Sequence, residues 1–77
     1  MEHVIVEFPE RREVLMGGVS QGDNRDDSGE YWVLPVSEGW HTFTLGGVKD
    51  FDPKSQKIDV RGTTPGQPLH IVFRKKV

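Results

Sequence analysis

The sequence predicts an all-β fold, a small antiparallel β-sandwich of about six to seven short strands. Three observations predict it. Alanine is absent while valine is the commonest apolar residue and glycine occurs nine times, a balance that suits pleated, half-buried surfaces rather than helices. Apolar and polar residues alternate with a period of two in several separate stretches, as half-buried strands require. Clusters of glycine and proline punctuate those stretches at near-regular spacing, which marks turns between short strands. Helix is expected to amount to a turn or two at most.

Taken in order, His3–Phe8 sets Val4, Val6 and Phe8 against His3, Ile5 and Glu7, a first strand closed by Pro9, which has no N–H for a ladder. Glu10-Arg11-Arg12-Glu13 reads as a solvated charged turn,. Val14-Leu15-Met16 and Val19-Ser20-Gln21 flank Gly17-Gly18, the chemistry of a type I′ or II′ hairpin. Gly22 to Glu30 is a polar, acid-rich loop without an apolar anchor, expected to be the most mobile segment. Tyr31–Val36 and Trp40–Leu45, joined by Ser37-Glu38-Gly39, read as a central hairpin. Its second arm points His41, Phe43 and Leu45 one way and Trp40, Thr42 and Thr44 the other. Gly46-Gly47 permits a change of direction, and Asp50-Phe51-Asp52-Pro53 is a turn whose phenylalanine is expected to fold onto the core,. Gln56–Arg61, with Ile58 and Val60 inward, and Leu69–Lys75, with Leu69, Ile71 and Phe73 on one face and His70, Val72 and Arg74 on the other, complete the set around a Pro/Gly-rich loop,.

The length of 77 residues fits one domain, 1–77, with no dividing linker and no repeat,. The formal charge of −2 lacks the basic footprint of nonspecific nucleic-acid binding,. Without cysteine there are neither disulfides nor thiolate metal sites,. No signal peptide and no membrane-length apolar run is visible,. That pattern fits the cytoplasm for the chain as it stands, or a cell envelope or surface if it is one domain of a longer protein; the compartment itself stays unknown.

Candidate chemistry is sparse. Gly18-Val19-Ser20-Gln21-Gly22 matches the G-x-S-x-G nucleophile elbow, yet no amphipathic helix follows it, and the elbow needs a strand turning into a helix above a large α/β sheet. A calcium loop begun at Asp23 has Arg25 at its third position and Ser28 at its sixth, where an oxygen ligand and a glycine belong. His3, His41 and His70 lie on strands, where a cross-strand pair would still need a third ligand and an open or carboxylate position to bind zinc; His41 is expected to donate to a nearby backbone carbonyl, and His3 and His70 to be exposed. Arg74-Lys75-Lys76 reads as a charged end that protects an edge strand,. No catalytic constellation, metal site or cofactor site emerges. The one binding candidate is aromatic. Tyr31, Trp32 and Trp40 would form a platform for stacking on sugar rings if the two tryptophans share a face of the hairpin, whereas burial of both in the core would remove it.

The order of features resembles the PEGA domain family of small β-sandwich modules. Carrying the resemblance are Val14-Leu15-Met16-Gly17-Gly18 with Gly22, then Leu34-Pro35-Val36-Ser37-Glu38-Gly39-Trp40-His41-Thr42-Phe43-Thr44-Leu45, Phe51-Asp52-Pro53, and the two closing strands. Gly17 stands where that family usually has aspartate, and the acidic loop is longer than usual. The resemblance implies an accessory module of bacterial or archaeal surface, envelope or kinase-associated proteins, with no established catalytic residues. The expected function is therefore a noncatalytic one, protein–protein contact or spacing beside neighbouring domains. The alternative is a carbohydrate-binding module.

Overall fold

In the computed structural model, which describes residues 1–76, the alternation seen in sequence becomes two facing sheets; Val77, the last residue of the expected domain, lies outside the described residues. The strands are β1 (Glu2–Glu7), β2 (Glu13–Met16), β3 (Val19–Asp23), β4 (Leu34–Val36), β5 (Gly39–Leu45), β6 (Phe51–Asp52), β7 (Gln56–Val60), β8 (Leu69–Val72) and β9 (Arg74–Lys75), and no helix occurs among the described residues. One sheet has the order β4-β1-β8, the other β3-β2-β5-β7, and β6 and β9 form a two-stranded ribbon. Pairing is antiparallel throughout except between β1 and β8, which run parallel with Val6 beside Ile71. Strands so far apart in sequence have the long connection that a parallel pair needs.

The core fills the space between the sheets. Val4, Val6, Leu34, Val36 and Ile71 meet Val14, Phe43, Leu45 and Val60. Phe8, Phe51 and Phe73 close one end edge to face, Phe51 lying 6.3 Å from Phe8 and 5.7 Å from Phe73 between ring centroids, the arrangement ring quadrupoles favour. Burying one such ring contributes about 3 kcal/mol. Phe51 folds onto the core as its isolation in a turn suggested.

The glycine hairpin is also as expected. Gly17 and Gly18 have φ of 59° and 81° between β2 and β3, positive at both positions as a type I′ turn demands.

Four expectations need correction. First, Tyr31–Leu45 is not a hairpin: β4 pairs with β1 while β5 pairs with β2 and β7, so Ser37 and Glu38 carry the chain from one sheet to the other. The strand is also shorter, starting at Leu34. Continued at period two, it would have sent Trp32 inward with Leu34 and Val36; instead the Trp32 amide donates to the Asn24 carbonyl at 3.0 Å and the chain turns away. Second, Gly22 and Asp23, expected in the acidic loop, belong to β3, and the loop, without an apolar anchor as expected, has a polar one. Asn24 is fully buried, its Oδ1 accepting from the Arg12 amide at 2.8 Å and its Nδ2 donating to the Glu10 carbonyl at 3.2 Å. Third, Leu69–Lys75 breaks at Phe73, whose amide donates to the Glu7 carbonyl at 2.9 Å. Beyond it β1 has ended, and β9 turns to β6 instead. Fourth, the charged stretch is solvated at Glu10 and Arg11 as expected, but Arg12 is largely covered and joins Glu10 in an ion-pair network described below.

Candidate functional site

Period two along β5 buries Phe43 and Leu45 and turns Trp40, Thr42 and Thr44 outward,. Across the ladder Trp40 faces Asp59 and Thr42 faces Lys57, so these side chains share the outer surface of the sheet. Trp40 is 63% exposed. The Lys57 Nζ lies 5.8 Å from its ring centroid, within reach of a cation–π contact. His41, on the inner side, makes a 2.8 Å hydrogen bond from Nε2 to the Ser37 carbonyl oxygen, which ties the crossover to the strand it enters.

The three expected aromatic residues have separate fates. Tyr31 is built into the fold: the Arg25 guanidinium lies 4.1 Å above its ring, Arg25 Nη2 donates to its hydroxyl at 2.7 Å, and that hydroxyl donates to the Phe8 carbonyl at 3.3 Å. Trp32 is 51% exposed but stands in the segment before β4, beside exposed Val33. Because β4 and β5 belong to different sheets, Trp32 and Trp40 do not sit on adjacent strands of one hairpin. Trp40 alone keeps the outward strand position expected of it.

The histidines are likewise dispersed. His70 Nδ1 pairs with Glu7 at 2.8 Å, while His3 is only partly exposed and its Nδ1 is buried without a partner, unlike the exposed position expected. Among the described residues no group of three or more His, Cys, Asp or Glu side chains converges to hold a metal ion. Ser20 lies in the β3 arm opposite Leu15, a hairpin position and not an elbow.

Two assemblies had no signal in the sequence because each gathers residues from distant segments. The first is an ion-pair network over the aromatic end of the core. Arg12 donates through Nη1 and Nη2 to Asp50 at 2.8 and 2.9 Å and also contacts Glu10; Lys75 pairs with Glu10 at 2.7 Å and with Asp50. The Arg12 guanidinium stands 5.1 Å from the Phe8 ring centroid. Hydrogen bonds from Arg12, then Lys75, hold the Asp50 carboxyl well below the usual carboxylate range. Lys75, then Arg12, lower Glu10, and Asp50, then Glu10, raise Arg12 and Lys75 above their ordinary values,.

The second is a recess of about 290 Å³ at the far end of β5 from Trp40, floored by Leu15, Leu45 and Phe51 and rimmed by Lys49, Lys54 and Lys76. Compared with known protein families, curated proteins and solved structures, the chain shows no significant match.

Proposed function

We propose that this domain is a noncatalytic accessory module that makes a protein–protein contact through the outer face of β5, centred on Trp40. The observation that carries the reading is the 63% exposure of Trp40. A large indole held out on a regular strand does nothing for the core, and such rings supply anchors when a partner covers them. Thr42 beside it and Lys57 across the ladder give that ring a polar surround, the usual rim of a contact patch. Supporting the accessory role is the resemblance to PEGA domains, which sit beside other domains in larger bacterial and archaeal proteins.

A photocrosslinking amino acid at position 40 tests this in the protein as its natural host makes it. The control is position 19, where Val19 is 64% exposed at a hairpin end. A discrete adduct from position 40 and none from position 19 is expected. Equal labelling at both positions, or none at either, would overturn the contact.

A second reading, carbohydrate binding, is favoured by the exposure of both tryptophans, 51% for Trp32 and 63% for Trp40. Sugar stacking on either ring alters its emission. Tryptophan fluorescence that stays unchanged across a panel of soluble polysaccharides removes this alternative.

A further inference from the structure

The recess beside Gly46-Gly47 combines three features. Its lining includes half-buried Leu15 together with Leu45 and Phe51, core residues that reach it with only 4% and 5% of their surface exposed. Three lysines, Lys49, Lys54 and Lys76, stand at its rim. Among the described residues none of the three is paired with a carboxylate, whereas Arg11, Arg12, Arg61 and Lys75 each are. The third feature is backbone. Gly47 and Lys49 both line the recess, and neither amide donates to a protein acceptor among the described residues. The adjoining Gly46 amide, by contrast, is taken by the Glu13 carbonyl at 2.8 Å.

We infer that this recess binds an apolar group carrying a carboxylate, either a free organic acid or the C-terminal residue of a polypeptide. The chemistry divides along the depth of the site. An apolar body would displace water chiefly from half-buried Leu15 and the lysine stems around it,, and a carboxylate at the rim would accept from lysine ammonium groups and free amides, bonds stronger than their neutral counterparts. A bare inorganic anion would leave the floor wet. A neutral apolar molecule would leave the lysines unanswered. The volume of about 290 Å³ lies at the small end of ligand sites, enough for one aromatic or branched side chain. One carboxylate stands close by, since a Cβ built on Gly46 would lie 2.8 Å from Glu13 Oε1; it opposes an anionic ligand and sets a built-in control. The inference is independent of the Trp40 contact, which occupies the other end of β5.

The test is amide NMR on the full chain, titrated with 3-phenylpropionate, with N-acetyl-glycyl-phenylalanine, with the C-terminal amide of that dipeptide, and with inorganic phosphate. Saturable shifts confined to Gly46, Gly47, Lys49 and Leu15 are expected with at least one carboxylate below about 10 mM. The amide and phosphate should bind at least roughly tenfold more weakly. Whichever carboxylate binds more tightly identifies the source, free acid or chain terminus. The double variant Lys49→Gln/Lys54→Gln should lose roughly tenfold in affinity while keeping its dispersed spectrum, Glu13→Gln should bind no more weakly than the parent, and Trp40→Ala should bind equally well. No saturation with either carboxylate, equal binding of the amide or of phosphate, unchanged affinity in the folded double variant, or loss of binding in Trp40→Ala would each overturn the inference.

Discussion

Lys75 and Lys76 are adjacent in the chain, as are Lys49 and Asp50, and in both pairs the two side chains meet different surroundings. On one side, Lys75 and Asp50 join Glu10 and Arg12 in the network above Phe8. On the other, Lys49 and Lys76 stand at the rim of the recess without a carboxylate partner among the described residues. The same aromatic floor serves both, because Phe51 packs against Phe8 and Phe73 while also lining the recess. The difference teaches that charge type says little about role. A lysine whose hydrogen bonds are answered within the fold contributes to the fold, and its neighbour, turned the other way, remains free to meet a ligand. Tyr31 and Trp40 repeat the contrast among aromatics, one enclosed by Arg25 and the Phe8 carbonyl, the other exposed.

The sharpest way to break the comparison is at the shared floor. Phe51→Ala should destabilise the domain by about 3–5 kcal/mol, a large fraction of the stability of so small a chain, and urea denaturation measures it. A loss below about 1 kcal/mol would show that the two sides do not depend on one aromatic cluster.

Asp50→Asn comes next. It removes the negative charge and one of the two carboxylate oxygens that accept from Arg12 and Lys75 and should lower the thermal midpoint by several degrees, whereas Lys49→Gln should leave it nearly unchanged. The pH dependence has a definite sign. Asp50 and Glu10 titrate lower in the folded protein than their ordinary values of 3.8 and 4.5. Their contribution is therefore fully present above those values and is lost as pH falls through and below them. Lys75 is raised above its ordinary 10.5, so its contribution is present below that value and fades as pH rises past it. Urea midpoints measured across pH should fall on the acid side in the parent and fall less in Asp50→Asn. Parallel acid limbs in the two proteins would refute the network's role.

Smaller effects separate the two aromatics. Tyr31→Phe deletes the hydroxyl bonded to Arg25 and Phe8 and should cost about 1 kcal/mol. Trp40→Ala should change stability by no more than about 0.5 kcal/mol. If chemical denaturation ranks them the other way, Trp40 is part of the fold and its claim as a contact residue weakens.

Period-two alternation is a local property of the chain, because successive side chains on any strand leave opposite faces. For that reason the all-β class, the shared faces of Val4, Val6, Phe8 and of Leu69, Ile71, Phe73, the outward position of Trp40 and the Gly17-Gly18 turn were all legible from the sequence alone. Partner choice between strands is not local. Whether β4 pairs with β5 or β1 depends on which contacts bury most surface across the whole domain, so the apparent hairpin became a crossover, and Trp32 parted from Trp40. The polar assemblies were hidden for the same reason: Asn24 is satisfied by Glu10 and Arg12, Asp50 by Arg12 and Lys75, and the recess draws on β2, β5 and the turns that follow. Within each strand that forms, alternation alone assigns the two faces, since backbone geometry dictates it. Which charges are answered and which are left open follows from long-range folding, since that alone brings distant partners within hydrogen-bond reach.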